Sequence, residues 1–390
     1  MSKTILDLND DCIEYLFKYL PIDTHMSFTR VCTRFRNVWL NYRKYIYSRL
    51  ELGETNAEGF QQEMILLRQI SEHVKHITIN MNRNFDWSGV PLAQFMTNLR
   101  KMSALERVLL WIKDNESHKT YECILRALEQ LPRIKGIATY QDNNVVDSLY
   151  QFNDCESLLR ESAHSRDPLM EFIENHTKIR VLLFNNASIR PTLEDLVRHS
   201  TCVKELTFRM TQKAAEYVPL AELPELRELH IFANRQQHDC CPLLPLLAAI
   251  QCKLSQQLHT LTINAPGVGY PEACEIARIS SLQRLDCHLT EPLCLQALIA
   301  LNQLTDFFIQ LPECSPIDDL VLDILKHCQK LNVLRIDLPN LGSNFLAEAY
   351  QLLQQVRDPT KQKPLILMLG INCTKLDKNM NCYLKVIRQE

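Results

Sequence analysis

Residues 226–231 read LRELHI: one apolar residue, two variable ones, then apolar, variable, apolar. The second half alternates, which puts Leu229 and Ile231 on one side of an extended chain and Glu228 and His230 on the other. The same phrase recurs as VKHITI from Val74, LERVLL from Leu105, IKGIAT from Ile134, IRVLLF from Ile179 and VKELTF from Val203. It continues as LHTLTI from Leu258, LQRLDC from Leu282, LTDFFI from Leu304, LNVLRI from Leu331 and a degenerate PLILML from Pro364. Successive starts are 31, 29, 45, 24, 23, 32, 24, 22, 27 and 33 residues apart. The longest gap is about twice the shorter ones, and CESLLR at Cys155 reads as a decayed copy within it.

Between the phrases the apolar spacing is helical. Leu92, Phe95, Met96 and Leu99 form one stripe, and Leu320, Ile324 and Leu325 another. Pro191, Pro271, Pro292 and Pro316 stand near the starts of such segments, where a missing N–H costs little. Each unit therefore supplies one strand and one helix. Neither buries its apolar side alone, so neighbouring units must stack.

A series of this kind resembles the leucine-rich repeats, whose period is 20 to 29 residues. The resemblance implies an α/β solenoid. Its parallel strands line the inside of a horseshoe arc and its helices lie outside. It covers residues 74–372 as about eleven or twelve units. Residues 51–73 read as a linker or capping helix, and 373–390 as a C-terminal tail that has room to fold back into the arc. The Asn or Cys that usually follows the strand in that family is mostly absent here.

Composition narrows the rest. Of 390 residues, 46% are hydrophobic and 23% charged, the balance of a globular chain. A net charge of −3 offers no strong field for nucleic acid or an acidic membrane. The longest apolar run, Pro242 to Ile250, falls far short of a membrane span. Met1, Ser2 and Lys3 lead into a run containing Asp7, Asp10 and Asp11, which does not read as a secretory signal. Fifteen cysteines are scattered, most of them singly. They read as reduced, largely buried thiols, so a cytoplasmic or nuclear setting is expected.

The amino-terminal stretch from Leu6 to Trp39 is LDLNDDCIEYLFKYLPIDTHMSFTRVCTRFRNVW. Cys12, Ile13, Leu16, Phe17 and Leu20 share one side of a helix, with Asp10 and Asp11 at its amino end. Pro21 ends that helix. Asp23 is placed to cap a second, carrying Met26 and Phe28. A third carries Val31, Cys32, Phe35, Val38 and Trp39. Three short helices cannot bury that much apolar surface by themselves.

This pattern resembles an F-box, here assigned residues 1–50. The family's Leu-Pro, acidic residue, apolar helix, Val-Cys and basic-aromatic pair fall on Leu8, Asp11, Ile13, Leu16, Phe17, Leu20, Met26, Val31, Cys32, Arg34 and Phe35. Asn9 replaces the usual Pro, Phe35 the commoner Trp, and Cys12 and His25 stand where Leu is usual. The Asn9 change removes a fixed dihedral at the start of the first helix. The resemblance implies docking on the Skp adaptor, and through it on a cullin-RING ubiquitin ligase, the SCF complex. The contact residues it implies are Leu8, Asn9, Ile13, Leu16, Phe17, Leu20, Met26, Val31, Cys32 and Phe35. The plainer alternative is an amino-terminal cap for the repeats, a role compatible with docking.

The repeat strands would then present a target-binding face. Its candidate anchors are Trp111, Tyr140, Arg209, Phe232, Arg284 and Phe308, the residue types that carry interfaces. No catalytic motif stands out. Gly267–Gly269 lacks the rest of a dinucleotide fingerprint, and the adjacent ligand types of His238-Asp239-Cys240-Cys241 lack zinc-site spacing. No cofactor or metal is expected. Arg30, Arg34 and Arg36 read as a solvated face. The implied function is non-catalytic: a receptor that brings a target to the ligase or, alternatively, a scaffold that uses the adaptor without delivering a target.

Overall fold

The computed structural model describes residues 5–53, 57–81, 89–112, 118–141, 168–185, 193–210, 213–233, 243–311, 317–337, 341–342, 344–369 and 382–388. Two compact units divide the chain near residue 190.

In the first unit a 3-10 turn (Ile5–Asp7) leads into α1 (Asp10–Tyr19), α2 (Ile22–Thr29) and α3 (Thr33–Ile46). Strands and helices then alternate: β1 (Arg49–Leu52), α4 (Ala57–Ile70), β2 (His76–Met81), α5 (Val90–Leu99), β3 (Arg107–Ile112), α6 (His118–Leu128), β4 (Gly136–Gln141), α7 (Pro168–Asn175) and β5 (Val181–Asn185). The strands are parallel and pair in chain order.

The second unit runs α8 (Leu193–His199), β6 (Glu205–Met210), a 3-10 segment (Ala214–Glu222), β7 (Glu228–Ala233), α9 (Leu244–Leu254), β8 (Thr260–Val268), α10 (Tyr270–Ala277) and β9 (Arg284–Leu289). It continues with α11 (Leu293–Leu298), β10 (Asp306–Gln310), α12 (Asp318–His327), β11 (Val333–Asp337), α13 (Phe345–Val356), β12 (Leu365–Leu369) and β13 (Leu384–Arg388). These strands too are parallel and adjacent in chain order.

The phrase explains the ladder. Its apolar positions turn inward: Leu226, Leu229 and Ile231 are buried, as are Leu258, Leu261, Ile263, Leu331, Leu334 and Ile336. The backbone at its second and third positions locks each unit to the one before. Arg227 and Glu228 both donate to the carbonyl of Lys204 (2.8 and 2.9 Å), and His259 and Thr260 both donate to that of Arg227 (2.8 and 3.0 Å). Gln283 and Arg284 repeat this on His259, and Asn332 and Val333 on Thr305. On the helical side, Phe95 and Leu99 are buried, with Leu92 and Met96 half-buried. Prolines occupy the first turn of α5, α9 and α10, where the unmade N–H bond is free anyway.

Three boundaries differ from those read in the sequence. The ladder starts at β1, across the expected boundary at residue 50 between F-box and linker, because Tyr47-Ser-Arg-Leu-Glu-Leu52 is itself a copy of the phrase. Leu50 and Leu52 are buried, and Lys75 and His76 both donate to Ser48 O (3.0 and 2.9 Å). The expected tail is not all tail: Leu384–Arg388 pairs with β12, with Leu384 opposite Leu365 and Val386 opposite Leu367. The second helix begins at Ile22 directly after Pro21, so Asp23 lies in its first turn instead of capping it. The degenerate copy at Cys155 lies outside the described residues.

Gly53 follows β1 with a φ of +94°, and a Cβ there would collide with the carbonyl oxygen of Asn80. Gly53→Ala is therefore expected to cost at least about 1–3 kcal/mol, read as a lowered urea midpoint for the first unit.

Candidate docking surfaces

The helical start of the first unit is held by its caps. Asn9, where a proline was expected by resemblance, caps α1 by accepting the Cys12 N–H on Oδ1 (2.8 Å). It thus replaces a fixed dihedral with a hydrogen bond. Cys32 Sγ accepts the Phe35 N–H at the start of α3 (3.5 Å). Arg34 joins the two helix starts, donating to Asp10 Oδ1 (2.7 and 2.9 Å) and to the carbonyl of Leu8 (2.5 Å). It is therefore engaged, although an ion pair this exposed contributes at most about 1 kcal/mol.

Inside, Ile13, Phe17 and Phe35 are fully buried. Phe17 meets Phe28 edge-on at 5.1 Å and His25 at 5.5 Å, while Phe28 lies 4.6 Å from Phe35. Below them is a buried polar network. His25 Nε2 bonds the Leu20 carbonyl (2.9 Å) and Nδ1 bonds the Tyr47 hydroxyl (2.6 Å), which also accepts from Trp39 Nε1 (2.8 Å). One arrangement satisfies all three: Nε2–H donates to Leu20, and the Tyr47 hydroxyl donates to Nδ1. Burial pushes the Tyr47 phenol well above its usual range, which keeps it neutral as that arrangement requires. The helices lean on the repeat beside them, α2 packing against α4.

This geometry sorts the ten residues expected to meet an adaptor. Ile13, Phe17 and Phe35 belong to the core and have no surface to offer, since three short helices need their largest side chains inside. Leu8, Leu16, Leu20, Met26 and Cys32 are half-buried, Asn9 is exposed, and Val31 is 60% exposed. The sequence reading missed Tyr15, Tyr19, Leu40 and Tyr45, all exposed. Tyr15 and Tyr19 pair one turn apart, hydroxyls 2.6 Å and rings 4.9 Å from each other. Their i, i+4 spacing off the main apolar stripe was the available signal.

The strand residues chosen as anchors fall into three neighbouring pairs. Trp111 on β3 is in register with Tyr140 on β4. Arg209 on β6 is in register with Phe232 on β7, and both are half-buried. The Arg284 guanidinium on β9 lies over the Phe308 ring of β10 at 5.2 Å. On that same second-unit face, Arg335 pairs with Asp337 at 3.0 Å. Burial raises the carboxyl of Asp286, against the opposing pull of Arg284 and Arg335, and burial lowers the imidazole of His230. Among the described residues no group of three or more His, Cys, Asp or Glu could hold a metal ion, and no helix is long and apolar enough to cross a membrane. His238 to Cys241 lie outside the described residues.

Two outcomes follow. Tyr47→Phe strands the Trp39 N–H and the His25 ring nitrogen, and is expected to cost about 1–3 kcal/mol in denaturant unfolding of the first unit. For Asp286, a folded-state pKa above the unfolded one disfavours the charged form. The penalty is absent below the unfolded pKa and complete above the folded one. Asp286→Asn should therefore raise the thermal midpoint at pH 7 and leave it unchanged near pH 3.

Comparison with known proteins agrees with the helical start. The F-box domain family matches residues 5–47. No curated protein matches the chain. Similar solved structures include an internalin (inlF) from Listeria monocytogenes, 13% identical, covering 90% of this chain and 84% of that one at a TM-score of 0.37. Another is internalin C2 (inlC2) of the same organism, 16% identical, covering 57% of this chain and 92% of that one at 0.30. Scores this low carry no argument, and the repeat assignment rests on the phrase and its parallel ladder. Residues 5–47 are an F-box domain, and the described residues that follow alternate strand and helix in a parallel ladder of leucine-rich-repeat type.

Proposed function

We propose that this chain is the substrate-recognition subunit of an SCF ubiquitin ligase. The F-box docks on the Skp adaptor, which joins it to a cullin-RING ligase, and the repeat strands receive a target protein. One observation carries the reading: a domain of the F-box family retains a closed core and still exposes apolar side chains. Val31 stands out at 60% exposure, and Leu8, Leu16, Leu20 and Met26 keep part of their surface. Burying such side chains against a partner is favourable by about 25 cal/mol per Å² of apolar surface. The buried residues Ile13, Phe17 and Phe35 then act indirectly, by holding the exposed ones in place.

The mechanism is recruitment. Holding target and ligase on one chain converts their encounter into an intramolecular event and raises the local concentration of target lysines near a charged conjugating enzyme. No acid, base or nucleophile of this chain is needed. Such a role belongs in the cytoplasm or nucleus, where that machinery works.

Capture of the Skp adaptor by the full chain tests the reading. Leu16→Asp combined with Val31→Asp is expected to abolish capture and leave the circular dichroism unchanged, because neither side chain is fully buried. Phe17→Asp is expected to lose capture together with the fold of the helices, since it puts a charge in their core. Undiminished capture by the Leu16/Val31 variant would overturn the docking assignment. A bound protein whose level rises when the chain is removed distinguishes a receptor from a scaffold.

A further inference from the structure

The sequence sets a proline beside a large apolar residue at the heads of three consecutive helices: Leu244-Pro245, Tyr270-Pro271 and Pro292-Leu293. The ladder makes these heads neighbours. β7, β8 and β9 pair in chain order, and the helices that follow them, α9, α10 and α11, pack side by side. The three heads therefore line one rim of the second unit, at the carboxyl ends of the strands. Behind them the apolar residues turn inward: Leu246, Leu247, Ala273, Ile276, Cys294 and Leu295 are buried. Leu244, Tyr270 and Leu293 instead stay 37%, 39% and 47% exposed, and Pro245 and Pro271 are exposed with them. One exposed apolar side chain is ordinary surface. Three aligned on adjacent helices form a patch, and patches mark interaction sites.

The rim carries charge of one sign. Residues 243–248, 267–274 and 289–296 contain Glu272 and Glu291 and no lysine, arginine or histidine. Glu272 is half-buried and Glu291 exposed, and among the described residues neither makes an ion pair. Glu275, further along α10, is by contrast engaged by Arg278 at 2.9 Å. Burial raises the Cys294 thiol, and the charges of Glu291 and Glu272 add to that, so both carboxylates stand near the head of α11.

Packed helices lie about 8–10 Å apart, which sets the interval between apolar side chains along the rim. A polyproline II chain turns once in three residues, a repeat of about 9 Å. A β-strand brings side chains to one face about every 7 Å and falls out of step. We infer that this rim docks a polyproline II segment of a partner protein, apolar at every third position and carrying arginine or lysine between. Its apolar side chains meet Leu244, Tyr270 and Leu293, and its cations reach Glu272 and Glu291. The prolines hold the backbone beneath the three apolar residues, so little freedom is lost on docking. The strand face stays open to a target meanwhile.

The test uses the full chain labelled with 3-fluorotyrosine, the Tyr270 fluorine resonance being assigned by Tyr270→Phe. The probe is a blocked Leu-Pro-Arg-Leu-Pro-Arg-Leu peptide. One control replaces both arginines by glutamate, and another has the same residues with the leucines adjacent. The arginine peptide is expected to shift the Tyr270 resonance saturably and to bind about tenfold more tightly than either control. Leu293→Asp should weaken it at least about tenfold. Glu291→Lys should weaken it about fivefold and tighten the glutamate peptide by a similar factor. Circular dichroism should be unchanged in both variants, since both side chains are exposed. No saturable shift, a shift indifferent to Leu293→Asp, or a control peptide binding as tightly as the probe overturns the inference. So does a Tyr270 resonance that moves with chain concentration alone, which would assign the rim to a second copy.

Discussion

The structure depends on a carbonyl shared between neighbouring repeats. At most steps the residue at the second position of a phrase accepts two N–H groups from the next unit, as Lys204 does from Arg227 and Glu228, while Asn332 accepts only that of Ile366. That contact fixes register to the residue. Register in turn decides which side chains face the core, because a slip of one position would expose Leu229 and Ile231 and bury Glu228 and His230. A parallel ladder bonded this way stays in register only while each unit is covered by its neighbours, so stability belongs to the stack and not to any one unit.

The F-box draws on the same principle. Its three helices enclose a core of Ile13, Phe17 and Phe35, add the Trp39–Tyr47–His25 network, and still rest on α4 of the first repeat. The capping role weighed against docking is compatible with it for a geometric reason: α2 meets α4, while Val31 and Asn9 face away from the core. Tyr47 serves both parts. Its hydroxyl closes the F-box network, and its backbone follows α3 into the first strand.

Much of this was legible in the sequence, and the misses have physical causes. Period-2 alternation after a fixed apolar lead marks a strand whatever lies between the copies, so each phrase from Val74 to Pro364 became one strand. The copy at Tyr47 was hidden because its lead residue also completes the third helical stretch. The last strand was hidden because Asn381 stands where the apolar lead should be, leaving only Leu384 and Val386 as signal. In the F-box, helical spacing identified the apolar side. It could not rank residues on that side, and packing took Ile13 and Phe17 inward while leaving Leu16 and Leu20 at the edge.

The central claim is that the F-box keeps a surface for a partner while its core is complete without one. Amide hydrogen exchange of the full chain, with and without the Skp adaptor, tests this most directly. The account predicts new protection across residues 8–20 and 26–32, with the strand amides from β2 to β12 unchanged. Protection confined to the strands, or none anywhere, would contradict it.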